Sequence, residues 1–187
     1  MKKRKAIILK GEEGKPTIHY LLSMLEDSRN VTLKAIRDIS QEELNWQPFE
    51  GWNTIGALLL HTHSVNEVLR IKYVENRILT AEETKTHHAN VTLGEHLPKV
   101  LADHPLDFYL KKLEASRERL VNAVSALDQE TFYKVRKGYD PENGCNLAWV
   151  LYHIVEDELN HKGQIMLIRK LYKERKTLAV LDPKLAK

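Results

Sequence analysis

His61, Asp157 and His161 are the residues of this chain whose types and spacing could do chemistry together. Asp157 and His161 are four apart, so on a helix they share one face, one turn above the other. Both interrupt an otherwise apolar stripe of Val150, Ile154, Ile165, Ile168 and Tyr172. His61 takes a core-facing place in a second stripe with Leu58, Val65 and Val68. A buried carboxylate must be paired, hydrogen-bonded or metal-bound, because an isolated buried charge is too costly. Two imidazoles and a carboxylate converging from two helices make a metal site with an open fourth position, the pattern of a catalytic centre. The same set suits iron(II) as a two-histidine, one-carboxylate triad. Spacing alone leaves a second arrangement open: a buried hydrogen-bonded cluster that fixes helix register.

Neighbouring residues add candidates. Gln164, three after His161, is placed to donate to a ligand or substrate, or to stand as a boundary residue. His153, four before Asp157, is an outer partner, an alternative ligand or a polar residue at the bundle edge. Glu158 and His161 spell the Glu-x-x-His of di-iron bundles, but that motif needs a second copy and the sequence has none. Glu158 is then a candidate general base, with Glu156 beside it. His63 lies about 200° round the helix from His61, with Glu67 and Arg70, and is assigned to solvent. His87, His88, His96 and His104 fall in a polar stretch and read as exposed loop residues. Cys145 lacks a local base and reads as incidental. Walker-type loops, dinucleotide fingerprints and Gly-x-Ser-x-Gly elbows are absent from the sequence.

The elements that must position these residues are helices. The chain has 187 residues, enough for one domain with a sizeable core. Gly (8) and Pro (6) are too scarce for a turn-rich β domain. Helical periodicity runs over about residues 17–39, 54–79, 106–127 and 146–173, each with one apolar stripe. Four such helices fit an all-α, antiparallel four-helix bundle, with long connections at 40–53, 80–104 and 128–145 forming a pocket mouth. Residues 1–15 form a charged, mobile segment, 16–175 the bundle and 176–187 a tail. Lys and Arg (29) against Asp and Glu (26) give a net charge of +3, too small and too mixed for a nucleic-acid binder. The most apolar window, 55–60, is far short of the roughly 20 residues a membrane span needs. A single cysteine excludes an intramolecular disulfide and, with no signal-type h-region, points to the cytoplasm.

Two stretches carry a family likeness. Asn45-Trp46-Gln47-Pro48, Gly51-Trp52-Asn53-Thr54-Ile55-Gly56 and Leu58-Leu59-Leu60-His61 resemble the second-helix signature of the DinB/YfiT-like family. Residues 149–165, ending in His161-Lys162-Gly163-Gln164-Ile165, resemble its last-helix signature. The resemblance covers about residues 16–175 and implies a four-helix bundle holding one divalent metal through three side chains. It places the ligands at His61, Asp157 and His161. Histidine is usual where this chain has Asp157; mycothiol-dependent maleylpyruvate isomerases and DUF664 proteins, which are similar, carry glutamate there.

The function so implied is transfer of the sulfur of a low-molecular-weight thiol, such as bacillithiol or mycothiol, onto an electrophile. The cofactor would be zinc or nickel, with iron or manganese as alternatives, and the protein a homodimer acting on a small molecule. His153 or Gln164 would orient the substrate. A metal-dependent hydrolase using Glu158, and a non-enzymatic dimerising or ligand-binding bundle, are the rival expectations.

Overall fold

The computed structural model describes residues 16–93, 104–136 and 144–181. Seven α-helices occur among them: α1 (Pro16–Ala35), α2 (Gln41–Asn45), α3 (Ile55–Leu69), α4 (Ala81–Val91), α5 (Leu106–Ser125), α6 (Gln129–Tyr133) and α7 (Leu147–Leu181). The described residues hold no named strand, only an isolated bridge between Arg136 and Cys145. The fold is all-α. The segment 1–15, the last six residues of the expected tail and His96 lie outside the described residues.

Local chemistry sets where the helices begin. Ser40, Thr54 and Asp128 cap α2, α3 and α6 by accepting the N–H of Glu43, Ala57 and Thr131 at 3.1, 3.1 and 2.6 Å. Asn146 Oδ1 accepts the Trp149 N–H at 2.9 Å at the head of α7. Helix α3 is shorter than its periodicity suggests. It passes at Leu69 into a π-helical turn, Arg70–Val74, and the chain then turns at Asn76 with φ 52°. The stretch after it is not all loop: Thr80 and Glu83 form a reciprocal capping box that starts α4. At the other end of the chain α7 continues past residue 173 into what composition marked as tail.

Contacts along the four long helices fix their directions. Gly56 meets Tyr109, His63 meets Lys112 and Asn66 meets Arg117, so α3 and α5 run parallel. Arg29 meets Glu158 and Ala35 meets Arg169, so α1 and α7 also run parallel. His61 faces Asp157 and His161, while Trp52 and Asn53 share a cleft with Leu167 and Ile168, so α3 and α7 are opposed. The order is therefore up, down, down, up, with α1 and α7 opposed to α3 and α5. A long segment that includes α4 joins α3 to α5.

The core has two apolar clusters, one toward each end. Leu25, Val65, Leu69, Leu120, Val150 and Ile154 belong to the first, and Ile36, Leu58, Leu59, Tyr109, Leu113 and Ile165 to the second. Between them each long helix contributes buried polar residues: Ser28, Arg29 and Thr32 from α1; His61, Thr62 and Asn66 from α3; Ser116 and Arg117 from α5; Glu158 and His161 from α7. This polar layer holds the chemistry-bearing side chains.

Candidate metal centre

Helix α3 is buried on nearly every side, and His61 projects from its middle toward α7. Asp157 and His161 project back from α7, their one-turn spacing setting both on the same face. Asp157 Oδ1 lies 3.4 Å from His61 Nε2 and 3.2 Å from His161 Nε2. The two imidazole rings meet edge to face, with centroids 4.6 Å apart. One ligand atom from each of the three residues fits within a 4.8 Å span.

Hydrogen bonding on the far side of each ring defines what the near side presents. His61 Nδ1 is 2.9 Å from the main-chain oxygen of Asn90, which only accepts. Nδ1 therefore carries the proton, and in the neutral ring Nε2 offers a lone pair. His161 Nδ1 lies 3.4 Å from Gln164 Oε1, the same arrangement. Two lone pairs and a carboxylate oxygen thus point at one another with no hydrogen between them. Such a cluster is stable when a cation lies among the three acceptors, either an added proton on a ring or a metal ion. Two atoms held about 2.1 Å from one tetrahedral zinc stand about 3.4 Å apart, which matches the spacings here. With a proton on a facing ring nitrogen in place of a metal, the upward push of burial on the Asp157 carboxyl is outweighed by hydrogen bonding and charge from His161 and His61, which hold it well below the usual carboxylate range. The donor set fits a divalent cation.

The other sequence candidates are dispersed. Gln164 is exposed and lies between His161 and a cleft of about 320 Å³ lined also by Gly51, Trp52, Asn53, Leu167 and Ile168. Of the connections expected to form a mouth, 40–53 thus contributes. His153 stacks on Trp149, with centroids 5.1 Å apart, and its Nδ1 is 3.5 Å from Glu156.

Glu158 does not serve as a base beside the triad. It is 1% exposed, and its carboxylate is taken by Arg29 Nε at 2.6 Å and by Arg117. Both carboxylate oxygens are occupied by guanidinium donors, and neither faces the triad. The cause is angular: one residue past Asp157, the Glu158 side chain turns about 100° toward α1 and α5.

His63 and Glu67, expected in solvent, are buried, because α3 has no solvent face there. His63 is 5% exposed and its Nδ1–H donates to the Lys112 carbonyl at 3.0 Å. Burial, with Lys112 and His87 nearby, pushes its pKa down to about 4. Glu67 is buried between Arg70 and Arg119. His87 is buried on α4, with Nδ1 3.0 Å from Ser64 Oγ, and His104 stacks on Phe108; His88 is exposed as expected. The partner of His61 at Asn90 is a main-chain atom, which residue types do not reveal. The Thr80/Glu83 pair was the one signal that a helix would be there to supply it.

An all-α scaffold with a His-Asp-His acceptor cluster in its polar layer defines a class of helical proteins compatible with divalent-metal binding. Residues 24–165 match the DinB superfamily, and the chain belongs to it. A search of the curated proteins finds no match. No helix among the described residues is long and apolar enough to cross a membrane.

Proposed function

We propose that this protein is a divalent-metal-dependent S-transferase built on the DinB four-helix bundle, joining the sulfur of a low-molecular-weight thiol to a small electrophile. The observation that carries the reading is the convergence of His61 Nε2, His161 Nε2 and Asp157 Oδ1, with Nδ1 of each ring turned to an acceptor on its far side. These residues would hold the ion, zinc or nickel before iron or manganese, and leave a position for substrate. A divalent cation when bound lowers the pKa of a coordinated thiol or water.

The chain's own side chains do the rest. Asp157 offsets one positive charge, while Asn90 and Gln164 keep both rings in the tautomer that faces inward. Trp52 and Leu167 form an apolar wall for the electrophile, and Gln164 supplies its amide at the cleft. In the transfer a sulfur–carbon bond forms, the thiol proton passes to solvent, and the electrophile's leaving group departs with its electron pair.

Thiol transfer is favoured over hydrolysis by a specific observation. Hydrolysis wants a protein base, and Glu158 is committed to Arg29 and Arg117. A homodimer of the cytoplasm acting on small molecules goes with this reading.

The test joins metal analysis to turnover. Purified protein should hold close to one divalent ion per chain, and His61→Ala and Asp157→Asn should each lose most of it. A bimane electrophile should be conjugated at a metal-dependent rate with at least one small thiol. Ester turnover without thiol would select the hydrolase, and protein that takes up no metal would refute both enzymatic readings.

A further inference from the structure

Helix α4 has an odd place in this fold. Its sequence is mostly polar, and among its residues only His87 is buried. Apolar burial therefore contributes little to its docking. Yet Asn90, in its last turn, sets its main-chain oxygen 2.9 Å from His61 Nδ1. Carbonyls of a final helical turn have no intrahelical partner, so this oxygen is free to accept. The negative end of the helix dipole strengthens the bond.

The His63 ring packs against His87 of α4, with centroids 5.5 Å apart, and the side chain of α3 that hydrogen-bonds to side chains of α4 is Ser64. Ser64 is fully buried, one turn beyond His61. Its Oγ accepts the Asn90 side-chain amide at 3.1 Å and lies 3.0 Å from His87 Nδ1. Helix α3 thus carries both the imidazole and the anchor of the helix that orients it.

We propose that Ser64 is a positioning residue: by tying α4 to α3 it aims the Asn90 carbonyl at His61 and fixes that ring with its Nε2 lone pair toward Asp157 and His161. Its bearing on metal affinity rests on the proposed metal site, but the orientation itself does not. Loss of an outer partner of a ligating histidine typically weakens metal binding about 10–100-fold.

The experiment compares matched hydroxyl deletions. Ser64→Ala removes the anchor; Ser116→Ala removes another fully buried serine hydroxyl, bonded only to the Leu113 carbonyl on its own helix. Zinc affinity is read by chelator competition on the full chain. We expect Ser64→Ala to weaken zinc binding about 10–100-fold, Asn90→Ala to follow it because the carbonyl remains but its tether goes, and Ser116→Ala to stay within about twofold of the parent. Equal affinities for the two serine variants would overturn the proposal.

A second readout needs no metal. Long-range nitrogen–proton correlation spectra of the metal-free protein, recorded at alkaline pH where imidazole is neutral, should show His61 with its proton on Nδ1, and a mixture of tautomers in Ser64→Ala. An unchanged spectrum in that variant would overturn the positioning role even in protein that takes up no zinc. Failure of zinc binding in the parent alone would fall on the metal site instead.

Discussion

A buried histidine titrates against its surroundings, and His63 is the clearest case here. Its pKa is pushed down to about 4 from an ordinary value of 6.5, by burial first and then by Lys112 and His87. Between those values the unfolded chain binds a proton that the folded one refuses, so stability falls as the pH drops from 6.5 to about 4 and the penalty is complete below that. The full effect is about 3 kcal/mol. Urea midpoints measured across that window should decline with acidification. His63→Asn, whose amide nitrogen can replace Nδ1 at the Lys112 carbonyl, should flatten the slope; an equally steep slope in that variant would assign it elsewhere. Sequence periodicity placed His63 in solvent because it measures angle round one helix. It does not register that α3 has neighbours on more than one side. The same angular rule brought His61, Asp157 and His161 into one place, because those positions point from two helices into the gap between them.

At the scale of elements, the α3–α5 contact depends on a missing side chain. Gly56 stands where an added Cβ would lie 2.7 Å from the Tyr109 hydroxyl and 3.0 Å from the ring carbon bearing it. Tyr109 is almost fully buried, so its ring has little room to retreat. Gly56→Ala would gain about 1 kcal/mol of helix propensity and lose about 1–3 kcal/mol to overpacking. We expect a net loss in thermal unfolding, partly recovered when Tyr109→Phe is added; a stabilised single variant would contradict the packing. The helices themselves were largely legible. Their stripes, Ser40 as a cap and Pro105 at the head of α5 all mark the chain correctly. Helix α4 was not, because its docking is polar and leaves no stripe. The parallel run of α3 and α5 was hidden as well, since a stripe has a face but no direction.

For the molecule as a whole, Glu158 is the tie. It joins α7 to Arg29 of α1 and Arg117 of α5, and both guanidinium groups are buried. Arg117 is desolvated enough for its pKa to be pushed down to about 10. Glu158→Gln would strand two buried cations and should cost about 3–5 kcal/mol of stability, read as a lower urea midpoint. The variant should still take up metal when folded at low denaturant. Undiminished stability would mean that the carboxylate has another employment. The tie and the triad occupy adjacent positions, Glu158 beside Asp157, yet their partners are separate. A protein fastened this way should fold without an ion. Unlike a zinc finger, which collapses when chelated, it would give up its ion and keep its shape. On the function proposed above, withdrawal of the metal would then stop turnover and leave the fold in place.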